Sequence, residues 1–216
     1  MTAVHVEFEP AGTDTLSGKY TKEKLTIDIV RANIYGIALI FPIALVYGVP
    51  YFLLWKDQFT LDYFRSVLDN PHPIHVFMGF FFLVGIMVGG IVLHELIHGI
   101  TWSLFASKGF KSIRFGVLWN MLTPYCHCKE PLKVRHYILG AIMPAILLGI
   151  IPAVIALFTG SFGLLLFALL FTITAIGDFM IINLLRKEHM EDLAEDHPSE
   201  AGCYIYRKNP VSTPAA

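Results

Sequence analysis

Charge is scarce in this sequence: 15% of its 216 residues are Asp, Glu, Lys or Arg, and the formal net charge is −1. No basic run reaches five residues, so there is no electrostatic footprint for nucleic acid and no such partner is expected. Cysteine is scarcer still. Cys126, Cys128 and Cys203 are too few and too unevenly spaced for a disulfide framework, and they are expected to be reduced thiols. The first thirty-one residues lack the apolar core of a signal peptide, so the first apolar block is expected to be an uncleaved anchor. Repeats and low-complexity tracts are absent.

Apolar residues are abundant. They make up 55% of the chain, above the ~45–50% usual in soluble domains. They also lie in blocks long enough to cross ~30 Å of hydrocarbon. Between Arg31 and Lys56 no charge occurs, which predicts a span over Ala32 to Trp55. Between Asp69 and Lys108 the single charge is Glu95, so a second span starts near Val76 and its helix runs on towards Ser107. From Tyr137 to Leu185 the single charge is Asp178, over about twice the ~20 residues of one span. The glycines and small polar residues of Thr159 to Gly163 mark a turn there. Spans three and four are therefore expected at Ile138 to Phe158 and Leu164 to Leu185.

Fourteen Lys and Arg residues fall on one side of these spans, and only Lys56 and Arg65 on the other. The positive-inside rule then places both termini in the cytoplasm of a multi-pass cell-membrane protein. Residues Gly109 to Pro131 alternate Ile113, Phe115, Val117 and Trp119 with turn residues and predict a hairpin or re-entrant loop on the cytoplasmic side. Phe59 to Leu68 carries a weak amphipathic pattern and is expected to rest as a connecting loop on the membrane surface. The fold class expected is an all-α membrane protein with about four transmembrane helices, plus this small hairpin and a polar tail. Its parts are a cytoplasmic segment 1–31, a four-helix membrane domain 32–185 and a cytoplasmic tail 186–216.

The chemistry concentrates in His94-Glu95-Leu96-Ile97-His98, within the second span. In a helix His94 and His98 lie one turn apart on one face, so both imidazoles can meet one metal ion, while Glu95 is rotated by ~100° and can reach a water at that metal. Zinc (Zn2+) lowers the pKa of such a water to about 7, and Glu95 can take the proton and return it to a departing amine. With nine histidines and nine glutamates, the pattern arises by chance in roughly one to two chains per hundred. An intramembrane carboxylate also costs at least ~2.5–3.5 kcal/mol on insertion scales, which makes it a functional site by default.

A catalytic zinc wants three protein ligands and an open position. Thr101 and Leu104 stand where a Gly and a His would extend the motif, and Glu130 is followed by Pro131 in a loop. Asp178 is the candidate: it is the only charge in its span, and at ~1.5 Å per residue it lies about 22 Å down, against about 27 Å for His94. Failing Asp178, the ligand would come from the Cys126 to Glu130 loop or from His136, Asp196 or His197.

An intramembrane HExxH followed by an aspartate on a later span resembles the site-2-protease class of intramembrane zinc metalloproteases. More closely, His94 to Gly99, Gly177-Asp178 and the tail Asp196-His197-Pro198-Ser199 resemble a bacterial family of short zincin-type membrane peptidases of unassigned function. The resemblance covers most of the chain from about residue 75. It implies zinc, membrane location and endopeptidase activity, with His94, His98 and Asp178 as metal ligands, Glu95 as base, and a protein or peptide substrate that is itself a membrane protein. The site-2 class has Gly after its aspartate, whereas here Gly177 precedes Asp178 and Phe179 follows.

Other residues carry weaker signals. Cys126-His127-Cys128 could bind a soft metal, but adjacent residues fit one tetrahedron poorly, and an ordinary loop is expected. Asn120 and Asn183 could orient a carbonyl, although satisfied amides are the better expectation. Pro144 and Pro152 can bend or open span three. His189 and His197, among Glu188, Glu191, Asp192, Glu195 and Asp196, are expected on a solvated tail. Against the peptidase stand a non-hydrolytic zinc transporter or sensor, for which Glu95 has no use, and a di-iron oxygenase, which needs more histidine boxes.

Overall fold

A computed structural model describes residues 5–7, 19–62, 65, 72–119, 123–197 and 200–209. The elements run β1 (His5–Glu7), β2 (Tyr20–Thr26), α1 (Ile29–Trp55), a 3-10 turn (Lys56–Phe59), α2 (Pro73–Ser103), β3 (Ile113–Leu118), β4 (Thr123–Cys128) and β5 (Leu132–Lys133). Then follow α3 (Val134–Thr159), α4 (Phe162–Thr174), α5 (Ile176–Leu185), β6 (Leu193–Asp196) and β7 (Gly202–Lys208).

Helices α1, α2 and α3 are each long and apolar enough to cross a membrane, and α4 with α5 forms a pair bent by 42° that could serve as one more span. In the most apolar stretches of α1 and α2 only 6% of residues are buried, against 44% for α3. Rows such as Phe77, Phe81 and Phe82 thus face outwards, an arrangement that needs an apolar solvent. Pro73 opens α2, where its missing N–H costs nothing, and the His72 ring accepts from the Ile74 N–H at 3.4 Å. The expected turn after span three is present: α3 ends on Gly160 at φ 68°, a left-handed position that favours glycine, and Ser161 caps α4 by accepting from Leu164 N–H. The expected fourth span is not one straight helix, because it breaks at the buried Ala175.

The all-α expectation is corrected by a five-stranded antiparallel sheet of order β1-β2-β7-β6-β5, to which both ends of the chain contribute. β2 pairs with β7 over seven residues, from Tyr20 opposite Lys208 to Thr26 opposite Gly202. Nor is the tail wholly solvated: His189 and Glu191 are exposed as expected, but Asp192 and His197 are buried. The charges of these strands find one another across the sheet: the Arg207 guanidinium grips Glu188 with two bonds of 2.7 and 2.9 Å and also meets the buried Glu23. Leu25, Ala194, Cys203 and Ile205 fill one core with Cys126, Cys128, Tyr137 and Trp102. His197 is buried, with its Nδ1 accepting from Glu200 N–H at 2.9 Å and its ring against Tyr204.

The hairpin expectation holds. β3 and β4 pair from Ile113 opposite Cys128 to Leu118 opposite Thr123. Asn120, Pro198 and Ser199 of the tail motif, and most of the Tyr63 to Leu68 stretch lie outside the described residues.

Candidate metal centre

His94 and His98 sit in the last third of α2, and Asp178 in the first turn of α5. The bend at Ala175 aims that turn at α2. His94 Nε2 lies 3.1 Å from Asp178 Oδ2, His98 Nε2 lies 3.3 Å from Asp178 Oδ1, and the two Nε2 atoms are 3.2 Å apart. Both histidines are buried.

The orientation of His98 follows from α3. Pro144 has no N–H to give to the carbonyl four residues back, so the Gly140 oxygen keeps room for another donor. His98 Nδ1–H supplies it at 2.8 Å. With that proton on Nδ1, the Nε2 of the neutral ring presents a lone pair to Asp178 and His94. Trp102 stacks on the His98 ring (centroids 5.1 Å apart, planes at 15°) and donates its Nε1–H to the Tyr137 carbonyl at 3.0 Å. A Cβ on residue 140 would fall 2.0 Å from Trp102 Nε1. Gly140→Ala is therefore expected to push Trp102 off His98 and to cost about 1–3 kcal/mol of stability, which thermal unfolding and tryptophan fluorescence would register; an unshifted midpoint would count against this packing.

Ring nitrogens and carboxylate oxygens converge here with too few protons among them, a donor set that suits a cation. Tetrahedral ligand atoms at Zn–N and Zn–O distances of about 2.0–2.1 Å stand about 3.3–3.4 Å apart, close to the 3.1, 3.2 and 3.3 Å found among these atoms. The group fits a zinc ion. Among the described residues, the buried His94 Nδ1 has no hydrogen-bond partner.

Glu95, half-buried, neighbours this group on the side of the hairpin, where the Cys126 backbone N–H faces its carboxylate. Among the described residues, Cys126, His127 and Cys128 do not converge into a metal-binding group. Strand alternation buries both thiols and turns His127 against Tyr125 instead. Burial also pushes the thiols up, Cys128 to about 11, Cys203 to about 12 and Cys126 further, which keeps them protonated.

The remaining candidates are occupied elsewhere. Glu130 accepts from Ser107, Ser112 and the Lys108 N–H. His136 stacks on Phe105 at 4.0 Å. Asn183 is half-buried on α5 and, five residues on, is turned about 140° from Asp178.

Residues 87–192 match the model of a family described as "Putative zincin peptidase". Over this segment, just under half of its length, the chain is similar to that family. The match includes His94, Glu95, His98, Gly140 and Asp178 and ends before Asp196. The family's description implies a zinc metallopeptidase, in keeping with a His94, His98 and Asp178 group that could hold a metal ion. Among curated proteins and among solved structures, nothing matches the chain.

Sequence reasoning missed Gly140, Tyr137 and Trp102. A proline four residues after a glycine was the available sign of a freed carbonyl; the stacking partners gave none.

Proposed function

We propose that the chain is a zinc-dependent, membrane-embedded endopeptidase that hydrolyses peptide bonds of protein substrates at the cytoplasmic side of the membrane. The observation that carries this reading is the convergence of His94, His98 and Asp178 beside Glu95. Zinc held by the three would acidify water and polarise the scissile carbonyl. Gly140 fixes the proton of His98 on Nδ1, leaving Nε2 as ligand. Glu95 takes a proton from the attacking water and hands it to the departing amine. The Cys126 N–H, facing the Glu95 carboxylate, holds that group in place.

The terminal sheet supports four crossings. β2 precedes α1 and β7 follows α5, and two strands in one ladder cannot lie on opposite sides of a bilayer. This reading requires an even number of crossings between them, which favours four over three, with bent α4–α5 as the last. The basic-residue split supports a cytoplasmic position for that sheet, both termini and the nearby site. Tags at either end are expected to be cut by protease only after the membrane is breached from outside; cleavage of one tag on intact cells would overturn the topology.

The direct test is cleavage of a candidate membrane substrate by the purified protein in lipid, with and without a zinc chelator. Chelation should abolish cleavage and added zinc should restore it. A protein that binds zinc but cuts nothing would favour a transporter or sensor.

A further inference from the structure

The most telling group outside the site is the carboxylate of Asp196, on β6. Its Oδ1 accepts from the Tyr137 hydroxyl and its Oδ2 from the Cys128 backbone N–H at 2.8 Å. These two donors belong to the two walls of the metal centre. Tyr137 opens α3, the helix whose Gly140 carbonyl holds His98. Its own carbonyl takes the Trp102 Nε1–H, and its ring stacks on Trp102 (5.2 Å, 25°), which stacks on His98. Cys128 lies on β4, two residues from the Cys126 N–H that faces Glu95. A single side chain thus joins the wall that orients a ligand to the wall that orients the base.

We infer that Asp196 is a positioning residue for the metal centre, bonded at once to the Tyr137 hydroxyl and the Cys128 N–H, so that the C-terminal strands are part of the working site. The inference rests on the peptidase reading. Two donors need two acceptor oxygens, and a carboxylate has them; an amide offers one oxygen and turns an NH2 towards the other donor. The strand supplies its own control. Glu195, adjacent on β6, accepts from the Tyr206 hydroxyl at 2.6 Å, and among the described residues its side chain has no hydrogen bond to Tyr137 or Cys128, the two residues that Asp196 joins.

The test compares zinc affinity, by chelator competition on the purified full chain stripped of metal, in wild type, Asp196→Asn, Tyr137→Phe and Glu195→Gln. Outer partners of metal ligands typically alter affinity or activity by 10–100-fold when removed. Asp196→Asn should weaken zinc binding about tenfold and shift the absorption of the cobalt-loaded protein. Tyr137→Phe keeps the ring stack and should move both readouts the same way by less; it keeps the test decisive should Asp196→Asn fail to fold. Glu195→Gln should leave both unchanged. Zinc affinity and cobalt spectrum that are unchanged in folded Asp196→Asn and Tyr137→Phe, or equally altered in Glu195→Gln, would overturn the inference alone. A wild type that takes up no zinc would overturn the peptidase reading with it.

Discussion

Glu95→Gln is expected to abolish measurable peptide cleavage, with a loss on the order of 10²–10⁴-fold for removal of a general base, while metal content stays at the wild-type level. The separation follows from the geometry. The proposed ligand atoms are on His94, His98 and Asp178, and among the described residues they pair with one another rather than with Glu95. Glutamine has nearly the same volume and still offers an oxygen to the Cys126 N–H, so the helix and hairpin keep their contact. It cannot accept a proton from water. Metal analysis and single-turnover cleavage on the same preparation check both halves. Zinc lost with activity would move Glu95 into the ligand set, and cleavage at the wild-type rate would remove it from the chemistry.

Asp178→Ala should behave differently: zinc affinity and cleavage fall together, by at least about 100-fold, since losing even an outer partner of a ligand costs 10–100-fold. Alanine leaves the two Nε2 atoms 3.2 Å apart with no anion between them. Two imidazoles on one helical turn give zinc two of the three protein ligands that a catalytic site requires. Titration of the metal-free variant beside Glu95→Gln distinguishes the roles, because only one of the two should lose affinity. Full zinc and full activity in Asp178→Ala would end its assignment as third ligand.

What the sequence made legible were features written in local pattern. The charge-free stretches located the helices, alternation from Ile113 to Trp119 located the hairpin, and the i, i+4 histidines located the candidate metal-binding face. The depth count also brought Asp178 to the level of His94, and the structure places them in contact. The sheet was not legible for a physical reason: Tyr20–Thr26 is short and mixed in polarity, and its partner Gly202–Lys208 is about 180 residues away. The break at Ala175 has no proline or glycine at its own position to announce it. Asp196 was hidden by its neighbours, since Glu191 to Asp196 reads as a solvated acidic run. Strand alternation pulls that run apart, sending Glu195 to Tyr206 and Asp196 to Tyr137.

The ladder between β2 and β7 also sets a clock on the life of the chain. β2 leaves the ribosome before any helix, and β7 after all of them. When Asp178 has been added, His94, Glu95, His98 and the hairpin already exist, but Asp196 and the last strand do not. The thirty residues from Asp178 to Lys208 take roughly 2–6 s to synthesise. Through that interval the nascent chain carries its ligand side chains without the carboxylate that braces their walls. A site assembled in this order is completed last, when the final strand pairs with the first.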